Sequence, residues 1–417
     1  IGDYEHTATM SQGGYVYGNT VETAYWQGTF KDAAIGWEKT SQYNVGFDLG
    51  LFNGRVNLIG NYYNSLSYDL LYDQPISSIS GSSSVKTNLK NAKVRNSGVD
   101  FQIDGRILTG DFKWNVSANI SVNRNKVVDL GGINDLYLVS ERNVVSHVTR
   151  SGLPIGSFYG YIADGIISEK DYTNIMIDKS NLVNGKFPDG YQLIGPAVPN
   201  YNNIHPGDVK WRDVDKNGLI TENDREILGN AYPDFTYGIS TDFSYKNFEL
   251  SVLIQGQIGG DVMFLGQRSL DYGSPGVNQF SHWVRCWKPD YQAVYGDRGD
   301  PTPYYLGVDM SWDGTTPNIY NRNSTYENNS DLRIYDTTYL RIKNITLSYT
   351  LPNDLLKKSF LKKAKVYVSL DNVVTFDNYP GVSPETNSYG NSTTRAGVDY
   401  STYPMSRKYT LGVNLVF

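Results

Sequence analysis

The twelve residues from Asp213 to Asp224 carry the most specific chemical pattern in the chain. Asp213, Asp215 and Asn217 place oxygens at positions 1, 3 and 5. Gly218 allows the sharp turn at 6, Leu219 offers its carbonyl at 7, Thr221 stands at 9 and the Asp224 carboxylate at 12. Hard oxygen ligands at this spacing wrap one Ca²⁺. The expected cofactor is therefore calcium, held for loop rigidity and not for catalysis. Asp224 stands where Glu is usual, and its shorter arm predicts weaker or monodentate ligation.

Other chemistries find little support. The four histidines, His6, His147, His205 and His282, show no ligand spacing to one another. A single cysteine, Cys286, excludes disulfide scaffolds and Cys-rich zinc sites. No nucleophile elbow, phosphate loop or dinucleotide fingerprint occurs, so no enzymatic activity is expected. A net charge of −6 argues against bulk binding to nucleic acid. The remaining candidates are aromatic. Trp26, Trp283, Trp287, Tyr304, Tyr305, Trp312 and Tyr389 lie in long irregular segments. Their flat faces suit stacking on sugar rings or peptide side chains, with Asn and Asp nearby for hydrogen bonds; they equally suit packing loops together.

The elements that position these loops are strands. Period-two alternation appears in nine runs: 45–51, 56–62, 99–107, 112–122, 235–245, 248–254, 344–351, 364–371 and 409–417. Phe112, Trp114, Val116, Ala118, Ile120 and Val122, for example, oppose Lys113, Asn115, Ser117, Asn119 and Ser121. Runs of about 9–11 residues with one apolar and one richly polar face suit tilted strands crossing a bilayer around a wet lumen. Phe112, Phe235, Tyr245, Tyr409 and Phe417 sit at strand ends, as an aromatic girdle would.

Tight links, such as Phe52-Asn53-Gly54 and Lys246-Asn247, alternate with long ones at 72–90, 131–231, 260–334 and 375–404. That alternation is expected of an outer-membrane barrel with short periplasmic turns and long extracellular loops, residues 1–38 also lying outside. Nine strands of this orientation do not close by themselves. The fold class expected is all-β, a transmembrane antiparallel barrel of which 1–417 forms the C-terminal part, completed by further strands.

These stretches resemble SusC-like TonB-dependent outer-membrane transporters of Bacteroidetes. The resemblance rests on Trp37-Glu-Lys-Thr-Ser-Gln-Tyr-Asn-Val-Gly-Phe-Asp, Asp208-Val-Lys-Trp-Arg-Asp-Val-Asp-Lys-Asn-Gly-Leu-Ile and Leu228-Gly-Asn-Ala-Tyr-Pro-Asp-Phe-Thr-Tyr-Gly. It rests also on Tyr339-Leu-Arg-Ile-Lys-Asn-Ile-Thr-Leu-Ser-Tyr and the final Tyr403 to Phe417. Ser383-Pro384-Glu385 stands where the family often has Asp-Pro-Glu. The resemblance implies a plugged barrel of about 22 strands and a SusD-like surface lipoprotein partner, in dimers of such pairs. It implies TonB acting through an N-terminal plug, and import of oligosaccharides or oligopeptides across the outer membrane of a Gram-negative bacterium, with outer-membrane lipid around the wall. Two other classes compete: a passive porin- or adhesin-like barrel, and a secreted, calcium-stabilised glycan-binding β-protein.

Overall fold

The computed structural model describes residues 10–27, 30, 32, 34–80, 84–139, 145–271, 278–287, 312–318, 327, 329–357 and 360–417. Nine long strands carry the fold. They are β1 (Lys39–Leu51), β2 (Val56–Pro75), β3 (Ser84–Thr109), β4 (Phe112–Asp129), β5 (Phe235–Tyr245), β6 (Phe248–Ile258), β7 (Tyr339–Thr350), β8 (Lys363–Asp377) and β9 (Lys408–Val416). Their hydrogen-bonded order is β9-β8-β7-β6-β5-β4-β3-β2-β1, a meander in which each strand follows its sequence neighbour. All nine runs of alternation fall in these strands, with only Leu351 and Phe417 one residue beyond their ends. Among the described residues no helix is long and apolar enough to cross a membrane.

The chain separates into two compact units, residues 1–136, 149–155 and 234–251, and residues 137–148, 156–233 and 252–417. In the first, β1 to β5 pair antiparallel. Their apolar face is exposed at Val45, Phe47, Val99, Phe101 and Ile103. Their polar face is laced laterally. Ser121 Oγ donates to Asp100 at 2.5 Å and Ser117 Oγ to Asp104 at 2.6 Å, while Asn125 Nδ2 donates to Asn96 at 2.7 Å. Polar side chains that satisfy one another across strands cost little to line a shared wet face. In the second unit β8 pairs antiparallel with both β7 and β9. The polar face is laced again, with Asn344 Nδ2 on Asp371 at 2.7 Å and on Ser369 at 2.9 Å.

One expected boundary is corrected. Residues 72–90 are not a long loop: β2 runs to Pro75 and β3 resumes at Ser84, leaving only 76–83 between them. The register slips between Tyr68 and Leu70, where Asp69 takes φ +57. Asp69 alone there lies against three residues of β3, 90 to 92, and this wide bulge interrupts the alternation read along the sequence although pairing continues. The expected loop 1–38 contains a hairpin, Met10–Tyr17 against Thr20–Gln27. The segment 131–231 holds short strands and one helix, α1 (Glu169–Ser180), capped by Ser168 with Asp171.

Tight turns follow their residues. Phe52, Asn53 and Gly54 all take positive φ, as does Lys246; Asn and Gly tolerate that region best. Gly98 is demanded by packing instead. A β-carbon there would lie 2.3 Å from the Val122 carbonyl oxygen and 2.6 Å from Tyr63 Oη. The Tyr63 ring crosses Gly98 to donate to Asn123 Oδ1 at 2.8 Å, tying β2 to β4 over β3. Gly98→Val is expected to displace that ring and cost about 1–3 kcal/mol. A urea titration of the folded, heat-modifiable band on semi-native gels would show it as a lower midpoint.

Candidate functional site

The Asp213–Asp224 segment is anchored by buried apolar residues just before its start and at its middle. Trp211 and Ile220 belong to one core cluster with Tyr161, Ala197 and Val209. A second cluster, built on Ile167, Ile175, Val198, Tyr201 and Ile204, packs against Leu219. Ile220 N–H donates to the Val198 carbonyl at 3.3 Å, and Tyr201 Oη to the Gly218 carbonyl at 3.1 Å. The loop therefore rests on a packed base.

Within it, the backbone is folded by its own side chains. Gly218 takes φ +87 and its N–H donates to Asp213 Oδ2 at 2.9 Å. Asn217 N–H donates to Asp215 Oδ1, and Leu219 N–H to Asn217 Oδ1. Thr221 caps a short 3₁₀ turn, Glu222–Asp224, with its N–H on Asp224 Oδ2 at 2.7 Å. Val214 N–H holds Asp224 Oδ1 at 2.9 Å. These bonds bring oxygens of Asp213, Asp215 and Asp224 within 4.8 Å of one another. Asp213 Oδ1 is buried and finds no donor. Burial pushes the Asp213 carboxyl up, and the charges of Asp224 and Asp215 add to it, against the lowering by the Gly218 N–H. Three converging carboxylates with an unsatisfied buried oxygen fit a hard cation, which would relieve both the repulsion and the orphaned acceptor.

The aromatic candidates divide. Trp287 and Trp312 meet on one carbonyl: Trp287 N–H donates to Thr316 O at 3.0 Å and Trp312 Nε1 to the same atom at 2.8 Å. Trp312 stays 43% exposed and keeps a free face. Trp283 does not: it is buried and its Nε1 donates to Asp271 at 2.8 Å, so it packs the loop instead of presenting a ring to a ligand. Tyr389 is half-buried against the Phe158–Met263–Leu265–Val398 cluster, with the Arg395 guanidinium 4.8 Å from its ring centre. Trp26 is exposed on the hairpin and lies over Gly13. Tyr304 and Tyr305 lie outside the described residues.

Sequence spacing missed the buried ionic centres. Arg333 Nη1 donates to Asp271 Oδ2 at 2.7 Å, both side chains being 3% exposed, and Gln267 Nε2 donates to the same oxygen. Arg341 is buried against Glu385, which also accepts from Tyr339 Oη. Partners 62 and 44 positions apart leave no local signal. The glutamate of Ser383-Pro384-Glu385 is thus placed: it neutralises Arg341 at the head of β7.

No protein-family model matches the chain. The TonB-dependent receptor P3 of Formosa agariphila is 31% identical over the whole chain, which spans 38% of that receptor. The TonB-dependent receptor SusC of Bacteroides thetaiotaomicron is 24% identical over 97% of the chain, covering 34% of its own length. The solved RagAB peptide importer in its open-open state superposes with a TM-score of 0.70 at 23% identity, over all of this chain and 38% of its own. The chain therefore spans little more than a third of the relatives it matches. Its fold is theirs: the wall of a large transmembrane antiparallel β-barrel with long loops.

His147 gives the loop scaffold a pH limit. It is fully buried beside Phe158, its Nδ1 2.7 Å from Ser146 Oγ and its Nε2 3.0 Å from the Ala396 carbonyl. Burial pulls it down to about 4. The unfolded chain thus binds this proton more readily, and stability present above pH about 6.5 is lost as pH falls towards 4, by about 3 kcal/mol. Amide exchange at 145–150, corrected for intrinsic rates, is expected to lose roughly 2 orders of magnitude of protection across that window; unchanged protection would refute the buried neutral imidazole.

Proposed function

From the end-to-end similarity to SusC-like TonB-dependent receptors, we propose that this chain supplies barrel wall and extracellular loops to an energised importer in the outer membrane. The polar faces of the strands line the lumen, and the loops bearing Trp287, Trp312 and Tyr389 meet the cargo, an oligopeptide or oligosaccharide. A SusD-like lipoprotein covers the loop side, and TonB acts through a plug. The observation that carries this reading is the nine-strand sequential meander, polar on one face and exposed and apolar on the other, on a chain that aligns with such receptors along its whole length.

Uptake decides it. Cells producing the protein in its native complex are expected to accumulate fluorescent oligopeptides or oligosaccharides of one class, and to stop when the proton gradient is collapsed. Accumulation that survives collapse would replace the importer with a passive pore.

The second part of the proposal concerns the loop at 213–224. Asp213, Asp215, Asn217, the Leu219 carbonyl, Thr221 and Asp224 hold Ca²⁺, which supplies a positive charge for three carboxylates and fixes the loop on its apolar base. Calcium at a hundredfold excess over its dissociation constant would stabilise the bound state by about 2.7 kcal/mol. Limited proteolysis is expected to spare 213–224 in calcium and cut it in chelator. Asp213→Asn with Asp224→Asn would be cut in both; equal cleavage of the natural protein with and without calcium would remove the metal from the account.

A further inference from the structure

The apolar outer face of the first unit can be followed row by row through its ladders. Val45, Tyr62, Val99 and Val122 stand side by side on β1 to β4. From this row down to Leu51, Val56, Gly105 and Val116, next to the tight turns, that face carries no charged residue. The rows above it differ. The next reads Tyr43, Asn64, Ser97 and Arg124, and the one after it Ser41, Leu66, Arg95 and Lys126. Lys39, Tyr68 and Lys93 follow, with Asp129 opposite Lys93 across a register shift. Lys39, Lys93, Arg95, Arg124 and Lys126 are all exposed. The other face is filled at this height: Val94 and Val127 are buried with Leu130, and Leu70 and Ile155 pack against them. The cations therefore project from the outer face.

Their height is set by the strand. From Phe112 to Val122, β4 rises roughly 33 Å, or about 25 Å of height at a tilt of about 40°. That matches the apolar band of an outer-membrane barrel. The cationic rows begin where hydrocarbon ends, on the side away from the tight turns. Lys39 is paired with Asp69 and Arg124 with Asp234, each at 2.9 Å. Lys93, Arg95 and Lys126 form no ion pair among the described residues. Asp129 spends its Oδ1 on the Gly131 N–H at 2.8 Å. Arg95 and Lys126 are direct cross-strand partners. Like charges placed so repel and weaken a ladder, and an anion over them removes the repulsion.

We propose that Lys93, Arg95 and Lys126 bind the phosphate of an anionic membrane lipid. The Arg95 guanidinium takes two phosphate oxygens in its fork, and the two ammonium groups add point charges beside it. Tyr43 and Tyr62, their rings 6.2 Å apart, stand below at the level where acyl chains begin. A free anion would meet the same charges but gain nothing from the exposed apolar band beneath them, whereas acyl chains lie along it. The inference rests on the barrel fold and not on the importer reading.

Native mass spectrometry of the intact complex in dodecyl maltoside tests it. Phosphatidylglycerol and phosphatidylcholine of identical acyl chains are added in turn, with inorganic phosphate as a competitor. The first phosphatidylglycerol is expected to be retained at least about tenfold more than phosphatidylcholine, a preference of ~1.4 kcal/mol. Arg95→Gln with Lys126→Gln should abolish that preference and keep the heat-modifiable fold, since it removes a repelling pair. Lys93→Gln alone should lower the preference about threefold. Lys113→Gln, at the turn end of β4, should leave it unchanged. Equal retention of the two lipids, or indifference to the variants at 93, 95 and 126, would overturn the site. An equal loss in Lys113→Gln would reduce the effect to net charge and overturn it too. Displacement of phosphatidylglycerol by inorganic phosphate at equal concentration would assign the patch to a free anion and overturn the lipid.

Discussion

A backbone amide or carbonyl that enters hydrocarbon without a partner costs several kcal/mol, and no side-chain contact repays that across a whole strand. The meander of β1 to β9 answers the constraint in the simplest way available, by pairing each strand with its sequence neighbours. Much else follows. Pairing in sequence order needs tight turns at one end, which the positive φ of Phe52, Asn53, Gly54 and Lys246 provides. It leaves the other end free to carry 131–231 and 260–334, whose polar backbone would be intolerable at membrane depth. It also fixes two faces of different chemistry, one exposed and apolar, the other tied laterally by Asp100–Ser121, Asp104–Ser117 and Asn344–Asp371.

The loop scaffold obeys another logic. It is built like a small soluble domain, with its own apolar clusters around Phe158, Ile175 and Trp211. Two buried carboxylates inside it are fully engaged: Asp178 accepts from the N–H groups of Ile194 and Gly195 and from Tyr191 Oη, and Asp271 from Arg333, Gln267 and Trp283. Such pairs hold irregular backbone in one arrangement because removing either partner strands a desolvated group. Presenting Trp312 and Tyr389 at fixed positions depends on this, since neither lies in a regular element.

Period two made the wall legible wherever a strand kept one face apolar and the other polar. It failed at Asp69, which lies against three residues of β3, and at Asn372, where a single extra residue shifts the pattern, while hydrogen bonding continues at both. The sequence therefore hid the upper parts of β2, β3 and β8, and with them the true length of the link at 76–83. The Asp213–Asp224 pattern was legible because its ligands are local and its spacing is geometric. Arg341 with Glu385, and Asp271 with Arg333, were not, because proximity across 44 or 62 residues is created by the fold alone. Among the aromatics, residue type suggested a surface role for Trp283, whereas its indole nitrogen had a buried carboxylate to satisfy.

The lengths of β2 and β3 carry a mechanical consequence. β3 extends over 26 residues and stays paired with β2 from Val56 to Pro75, well beyond the 9–11 residues that a bilayer requires. A load directed along these strands falls on the whole ladder at once, in shear, so every hydrogen bond must yield together. A load directed across them would open the bonds one at a time, like a zip. Tension along the strand direction therefore leaves this part of the wall standing, whereas the same tension applied across it would part the strands in sequence.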